Sequence, residues 1–485
     1  MSFTKTRGGT DRAIDLARQS LLQDDGLPFA EALTAEHIRQ AFEAEEVSFG
    51  AGDPEAECEH DDGIVYTMGI TLWAMVSQAL FTGPQRACRA AVQRVAVYYA
   101  LLGVEVSTNT GAYCRARAKV TEGVVQRLAL GVAARCEAQV PQAWLWHGSR
   151  VFKVDGTTCS MPDTEANQAV YPQSTTQDEG LGFPIMRSVA LTSLATGLVV
   201  AMAEGPYAGK ETGETALFRS LFSYFRPGDV LIADRYYAGW CMLALLQMLG
   251  VRFVTRLHQL READFSRGKR LGKGDHIVSW PKPAKPKWLD QKAYDSLPDE
   301  LVVREIDVQV DQPGFRTESL VVVTSLLDHK TYTKSDIALL YRRRWTIELE
   351  LRDIKSTMEL DVLRCQTPAA VRRELWTGIL AYNLIRQSML QSALAADRRP
   401  HRLSFAGTLQ MLTNTWLLAA VPPLETIDQR ARLAALRILN GHSHGVGDRP
   451  DRVEPRAVKR RSKPLALLTE PRAEVREKLL AGRKA

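Results

Sequence analysis

The sequence contains few cysteines and histidines, and this scarcity excludes several classes of site. Seven cysteines and nine histidines occur in 485 residues, and no two cysteines form a C-x-x-C pair. A zinc ribbon needs closely spaced cysteine pairs, and a disulfide-stabilised secreted domain needs a much higher cysteine density. The pattern indicates reduced thiols and predicts a cytoplasmic protein.

Long apolar runs are also missing. No stretch reaches the roughly 20 apolar residues that a membrane-spanning helix needs, and the first residues, MSFTKTRGGTDR, lack the apolar run of a signal peptide. The sequence therefore predicts neither secretion nor a membrane partner. With 45% apolar and 24% charged residues, the composition is that of an ordinary folded protein.

Basic residues are in excess and are clustered. The formal net charge is +6, and the surplus is concentrated in Arg342 to Arg344, in RGKRLGKG and in RVEPRAVKRRSK near the C-terminus. Such clusters are compatible with a polyanionic partner, although mild basicity alone is weak evidence for one.

The pattern of apolar residues divides the chain into five predicted segments. In order they are a helical region, a region where strands and helices alternate, a β-rich insertion, a second helical region and a basic, flexible tail. Their predicted bounds are 1–149, 150–258, 259–332, 333–440 and 441–485. Alternating strands and helices predict an α/β fold with a covered sheet.

A short basic helix in the first segment is a candidate DNA-binding element. The stretch VSTNTGAYCRARAKV offers residues 107–110 as a helix cap, followed by the polar series Tyr113, Arg115, Arg117 and Lys119. A helix, a turn and a basic helix would form a helix-turn-helix. An ordinary surface helix explains the pattern equally well.

The stretch YRRRWTIELELRDIKS concentrates charged residues on one side of a predicted helix. At about 100° per residue, four side chains fall within a sector about 60° wide. They are Tyr341, Arg344, Glu348 and Lys355. Arg352 and Trp345 flank the sector, whereas Glu350 lies on the opposite side. The sector suits a phosphate backbone beside a metal, although a solvated helix face remains the alternative on periodicity alone.

Two further acids follow apolar strands. Asp155 ends VFKVD and Asp234 ends DVLIAD, and functional groups gather at the carboxyl ends of strands in α/β sheets. Adjacent carboxylates need a cation, and oxygen donors suit two Mg²⁺ or Mn²⁺ ions. The alternatives are that Asp155 is a turn residue before Gly156 and that Asp234 forms an ion pair with Arg235.

Together these residues resemble a known family. The order Tyr341, two residues, Arg344, three residues, Glu348, six residues, Lys355 is similar to the Tyr-Arg-Glu-Lys signature of bacterial insertion-sequence DDE transposases, in the group numbered four. The surrounding VDGTT, GDVLIADRYY and TSLLD resemble the same family. The resemblance extends over residues 35–440.

The resemblance implies a ribonuclease-H-like catalytic core interrupted by the β-rich insertion, with a helical N-terminal DNA-binding domain and a helical C-terminal region. It implies that Asp155, Asp234 and Glu348 bind the metal. The implied DNA contacts are Tyr341, Arg344, Trp345, Arg352 and Lys355. Arginine and lysine suit phosphate and an indole suits an unstacked base. A core position is the alternative for Trp345, and Trp280 is a further candidate for DNA contact.

The implied function is cut-and-paste transposition. Such an enzyme would bind the terminal inverted repeats, hydrolyse the end phosphodiester and join the freed 3′-hydroxyl to target DNA. Its partners would be double-stranded DNA and further copies of itself, in a dimer or larger synaptic complex near the nucleoid. The alternatives are a catalytically silent DNA-binding protein of the same descent and a metal-dependent nuclease of the same fold that does not transpose.

Overall fold

The computed structural model describes residues 29, 32–47, 65–101, 105–309, 319–418, 437–442, 445 and 469–481. These residues form a mixed α/β protein with one nine-stranded sheet, so the predicted α/β class is confirmed. They divide into two compact units. The first comprises the described residues of Met1–Trp144, Ala195–Val200 and Leu351–Gly447, and the second those of Leu145–Leu194, Ala201–Glu350 and Asp448–Ala485.

The sheet has the strand order β3-β2-β1-β4-β5-β9-β8-β7-β6. Its strands are β1 Val151–Ser160, β2 Ile185–Ser193, β3 Val199–Pro206, β4 Val230–Ala233, β5 Arg252–Arg256, β6 Lys269–Gly272, β7 Asp275–Pro281, β8 Glu300–Gln309 and β9 Ser319–Thr324. Strand β1 is antiparallel to β2 and parallel to β4, which is parallel to β5. Strands β9, β8, β7 and β6 continue the sheet from β5 in antiparallel pairs.

Helices precede, connect and follow the strands. Those of the described residues are α1 Ala35–Glu43, α2 Met68–Leu80, α3 Cys88–Leu101, α4 Thr110–Lys119, α5 Glu122–Glu137, α6 Glu165–Val170, α7 Glu214–Arg219, α8 Trp240–Met248, α9 Gln291–Ser296, α10 Lys334–Arg342, α11 Thr346–Arg352, α12 Pro368–Ala395, α13 Phe405–Leu418 and α14 Arg472–Ala481. The described residues of 259–332 thus contain β6 to β9 and one short helix.

The core of the second unit fixes where the charged helix begins. The buried apolar side chains of β1, β4, β5, β8 and β9 form one cluster with Ile337, Leu340 and Tyr341 of α10. The start of α10 is set by a capping box, in which Thr333 and Asp336 each bond to the backbone N–H of the other. Apolar burial and capping together hold α10 against the sheet.

Helix α12 forms the centre of the first unit. It is 28 residues long, and most of its side chains are buried among helices α2, α5 and α13. Asn383 is fully buried on this helix, and its amide donates to the carbonyl oxygens of Ala129 and Val199 while its oxygen accepts the Val199 N–H. The N-terminal helices therefore share one core with the chain after residue 351.

The candidate basic helix α4 presents only part of its charge to solvent. Asn109 caps it by accepting the Gly111 N–H at 2.7 Å. Tyr113 is fully buried and donates to the Gln78 side chain, while Arg115 and Lys119 are exposed. Residues 102–104 of the preceding turn lie outside the described residues, so the helix-turn-helix stays a prediction.

Most of the predicted flexible tail also lies outside the described residues. The exception is α14, which is held to the second unit by Arg472. This side chain pairs with Asp163, donates to the Leu181 carbonyl at 2.9 Å and lies 3.9 Å from the centre of the Phe183 ring.

Candidate active site

Two aspartates lie where the parallel pairing of β1 and β4 ends. The last aligned pair is Lys153 with Ile232. Continuing this register by two residues puts Asp155 opposite Asp234, which directly follows β4. Asp155 lies within its strand, not at the predicted strand end, because β1 continues to Ser160 in antiparallel pairing with β2. The parallel register, not the strand end, aligns the two acids.

Asp155 is a half-buried carboxylate among other charges. Its Oδ1 accepts the Gly156 N–H at 2.8 Å. Burial raises the pKa of Asp155 to about 6; the Gly156 N–H and Arg344 lower it, whereas Glu214 and Glu348 raise it further. The acid of the charged helix thus lies close enough to Asp155 to repel it.

Asp234 begins a 3₁₀ turn, Arg235–Tyr237, and its Oδ1 accepts the Tyr236 N–H at 2.7 Å. The turn buries Tyr237 beside the acids. Burial is the largest cause raising the pKa of the Tyr237 phenol, and the charges of Glu214, Asp155 and Asp234 raise it further. The charges of both Asp155 and Asp234 therefore act on the buried Tyr237 phenol.

The charged helix is not the single α-helix that the angular argument assumed. Helix α10 ends at Arg342, a 3₁₀ turn covers Arg343–Trp345, α11 covers Thr346–Arg352 and a π-helical turn covers Asp353–Thr357. Because a π-turn advances by less than 100° per residue, the predicted angle of residue 355 does not hold. The angular positions predicted for residues within α11 do hold, because this segment is α-helical.

Arg344 interacts with acids of both the helix and strand β1. It donates to Glu348 at 2.8 Å, and the Glu348 side chain remains 36% exposed. Burial opposes the charged form of Arg344, but Tyr341, Glu348 and Asp155 raise its pKa further than burial lowers it. Tyr341 is itself buried, which raises its pKa to about 12 despite the opposing charge of Arg344. Tyr341, Arg344, Glu348 and Asp155 therefore share one electrostatic environment.

Glu350, which a helical angle of about 100° per residue places away from Glu348, forms a buried ion pair with strand β1. Lys153 of β1 is fully buried; it pairs with Glu350 and donates to the Thr346 hydroxyl at 2.9 Å. Alternate residues of a strand face the same side, so Lys153 lies one step below Asp155. This pair ties α11 to the strand that carries Asp155.

The two candidate tryptophans differ in exposure. Trp345 is 39% exposed, so a core position does not describe it. Trp280 is buried and its indole N–H donates to Glu305 at 2.9 Å, while Arg261 lies over its ring. Its predicted contact with DNA has no support in this arrangement, since the ring is covered.

Arg352 and Lys355 belong to the first unit, unlike the other members of the charged sector. Arg352 is exposed, and Lys355 is half-buried within the π-turn. The neighbouring Asp353 pairs with Arg386 of α12 at 3.3 Å, which anchors the π-turn within that unit.

The donor set fits a divalent cation. Among the described ranges, no three acidic, histidine or cysteine side chains are already arranged as metal ligands. However, Asp155, Asp234 and Glu348 offer carboxylate oxygens alone, which hard divalent cations prefer. Negative charge also accumulates at Asp155, whose pKa the nearby carboxylates raise, and a cation would relieve that repulsion.

Comparisons with known proteins identify the family of the part of the chain that carries these residues. Residues 146–384 match the family model described as "Transposase DDE domain", a range that includes all three acids. The chain is 26% identical over 347 residues to the transposase InsG for insertion sequence element IS4 of Escherichia coli (strain K12), which covers 69% of this chain and 75% of that relative. This chain belongs to the DDE transposases. It is a DNA-cleaving transposase of the insertion-sequence group numbered four, as its signature predicted, and enzymes of this class use divalent metal ions.

Two further similarities are more limited. The putative transposase InsZ of the same strain is 26% identical over 106 residues, which is 22% of this transposase and 34% of that relative. A cryo-EM structure of the piggyBac transposase synaptic complex with hairpin DNA covers 87% of this transposase and 84% of its own chain, with 8% identity and a TM-score of 0.42. In the described part of the transposase, no helix is long and apolar enough to cross a membrane.

Two charged residues beside the acids escaped the sequence analysis. Glu214, the first residue of α7, affects the pKa of both Asp155 and Tyr237. Arg256, the last residue of β5, lowers the pKa of Tyr341. Arg256 ends the apolar strand VRFVTR, as the candidate acids follow theirs, and this pattern could have marked it. In the structure β5 is the parallel neighbour of β4, so Arg256 lies near Asp234. No comparable signal marks Glu214 in KETGETALF.

Proposed function

We propose that Asp155, Asp234 and Glu348 of this transposase are its metal ligands and that they bind two Mg²⁺ or Mn²⁺ ions. The β1–β4 register carries this proposal, since it aligns Asp155 with Asp234. The raised pKa of Asp155, to which Glu348 contributes, supports the third ligand. Bound cations would activate the attacking oxygen and stabilise the leaving oxygen of a phosphodiester.

The reaction would proceed in two displacements on DNA. Water attacks the phosphodiester at the transposon end and releases a 3′-hydroxyl, which then attacks a phosphodiester of the target and joins the strands. The chain's own residues orient the phosphate. Arg344 is suited to this role because it lies beside Glu348 and its planar fork suits two-donor contact with a phosphate. Once Glu348 binds a cation, Arg344 would be available to a phosphate.

The remaining DNA contacts are proposed from the same signature. Tyr341 would hold a phosphate beside Arg344, Lys355 and Arg352 would hold further phosphates, and the exposed Trp345 would stack on an unpaired base. Transposon ends and target are both double-stranded DNA. Two or more copies of the chain would bring the two ends together, in the nucleoid region of the cytoplasm.

The catalytic core is proposed to be ribonuclease-H-like. Support comes from the order β3-β2-β1-β4-β5, in which β1, β4 and β5 are parallel and β2 is antiparallel to β1. The proposed division of labour keeps residues 1–149 as the main DNA-recognition region, 150–258 and 333–440 as core and following helices, 259–332 as an insertion and 441–485 as a basic tail.

A cleavage and strand-transfer assay on end-labelled transposon-end DNA tests the proposal. Asp155→Asn, Asp234→Asn and Glu348→Gln are each expected to abolish both products while retaining end binding. Asp295→Asn is the control, because Asp295 is an exposed acid on α9. Wild-type cleavage by any of the three variants would remove that residue from the ligand set.

The two alternative functions are not favoured. A catalytically silent DNA-binding descendant would have no reason to keep Asp155 and Asp234 in register. A nuclease that does not transpose would give cleavage without strand-transfer products in the same assay, so the joined product separates it from the transposase.

A further inference from the structure

A glycine beside the first metal-ligand candidate leaves space for another carboxylate. Gly156 follows Asp155 within β1, where glycine weakens a strand because it has no side chain to pack. A Cβ atom on residue 156 would lie 2.6 Å from Oε1 of Glu214, and the glycine backbone has no positive φ. Space for the Glu214 carboxylate, not backbone freedom, therefore explains this glycine.

The same carboxylate also reaches the turn that follows Asp234. The Tyr237 hydroxyl donates to Oε2 of Glu214 at 3.4 Å, and Tyr237 is 1% exposed. Helix α7, which Glu214 begins, packs on β1 and β2. The side chain is thus held between the strand of Asp155 and the turn of Asp234.

This position is electrostatically costly without a cation. Like charges at close range repel, and the space beside Gly156 places the Glu214 carboxylate against the strand that carries Asp155. Throughout the residues that the structure describes, no lysine, arginine or histidine forms an ion pair with Glu214; Arg344 pairs with Glu348. A purely structural acid would be expected to have a basic partner or to turn towards water.

We propose that Glu214 is a fourth carboxylate of the transposase metal site and binds the same divalent cation as Asp155. This inference rests on the proposed ligand role of Asp155. Glu214 would supply a hard oxygen donor on the side of β1 that Gly156 leaves open, and the Tyr237 hydroxyl would orient the other oxygen, as outer partners of metal ligands commonly do.

Direct binding of Mn²⁺ to the full-length protein without DNA tests this role. The free ion is followed by its electron paramagnetic resonance signal during titration to millimolar concentration. Glu214→Gln is expected to weaken Mn²⁺ binding on the order of tenfold or more. Gly156→Ala should weaken it similarly, because the added methyl displaces the flexible end of Glu214 rather than backbone.

Two further variants separate ligation from structure. Tyr237→Phe removes the hydrogen bond to Glu214 but no carboxylate ligand of the cation, so it should weaken Mn²⁺ binding clearly less than Glu214→Gln does. Glu211→Gln, an exposed acid three residues earlier, should bind Mn²⁺ like the wild type. Circular dichroism and urea unfolding confirm that each variant is folded.

The outcomes are distinct. Unchanged Mn²⁺ binding by Glu214→Gln, alongside loss in Asp155→Asn, would overturn the role of Glu214 and leave the proposed function standing. An equal loss in Glu214→Gln and Tyr237→Phe would also overturn it, because Glu214 would then act through the phenol. Wild-type binding by Asp155→Asn would overturn the proposed ligand set, and this inference with it.

Discussion

The buried pair of Lys153 and Glu350 predicts opposite consequences for two acids that lie two residues apart. Glu350→Ala should destabilise the fold, because it removes the carboxylate that pairs with the buried Lys153 ammonium. Glu348→Ala should abolish catalysis and leave stability almost unchanged. A uniform α-helix would place Glu350 away from the charged sector and predicts a nearly silent Glu350→Ala, so the two variants distinguish the buried pair from a solvated position.

The expected size follows from burial. The side chains of Lys153 and Glu350 are 1% and 8% exposed, and removing one partner of a buried ion pair costs about 3–5 kcal/mol. With a urea m-value of about 2 kcal/mol per molar, the unfolding midpoint should fall by about 2 M. The pair of Arg344 with Glu348 is less buried, with the two side chains 17% and 36% exposed, so its loss should cost less than the loss of the Lys153 pair.

Urea unfolding followed by circular dichroism measures these shifts, and end-DNA cleavage is measured in parallel. The double variant Lys153→Met with Glu350→Leu is the informative control, because it removes both charges and fills a similar volume. It should unfold at or above the wild-type midpoint. A midpoint for Glu350→Ala within about 0.3 M of wild type would refute the assigned pair, as would a double variant less stable than Glu350→Ala.

Three further outcomes are expected. The pKa of Asp155 is raised to about 6 in the folded state from an ordinary 3.8, so the stability it contributes to the metal-free protein is greatest below pH 4 and is lost as pH rises to about 6. Between pH 4 and 7 the urea midpoint of the wild type should therefore fall relative to that of Asp155→Asn. Midpoints that change with pH in parallel in the two proteins would contradict this. Arg344→Ala and Lys355→Ala should slow single-turnover end cleavage at saturating Mg²⁺ without changing metal affinity. Arg344→Lys should recover only part of the cleavage rate, since lysine lacks the two-donor fork. Wild-type rates in both alanine variants would mean that these side chains belong to an ordinary solvated helix face. Arg115→Ala with Lys119→Ala should reduce the preference for transposon ends in competition binding, and an unchanged preference would place recognition elsewhere.

Deleting residues 1–150, the simplest test of DNA recognition that the sequence suggests, is unsuitable for structural reasons. Helix α5 packs along α12, and Asn383 bonds to Ala129 on that helix. The deletion would expose the apolar side of α12 and remove a partner of a buried amide. Point variants on the exposed side of α4 avoid this damage.

Local patterns predicted the features that depend on short stretches of chain. Alternating apolar strands and helices gave the α/β class, and apolar runs before Asp155 and Asp234 located both acids. These signals work because strands of a covered sheet must be apolar, and because polar groups then collect where pairing ends. The match of Tyr341, Arg344 and Glu348 to a family signature gave the enzyme class.

Features that depend on pairing between distant segments could not be predicted. Glu214 is separated from Asp155 by 59 positions, and only the packing of α7 on β1 brings them together. Lys153 and Glu350 form a pair across 197 positions. A uniform helical angle also missed the change to a π-turn at Asp353, since the hydrogen-bond pattern of the backbone, not side-chain periodicity, defines it.

The outer strand β6 has a consequence for how copies of the transposase assemble. It covers only Lys269–Gly272, its pairing with β7 shifts register between Arg270 and Gly272, and three of its four residues are exposed. Short, basic and irregular edges resist pairing with a strand of another chain. A second copy therefore gains little by extending the sheet at this end, so this edge is not expected to join copies of the transposase in the proposed synaptic complex.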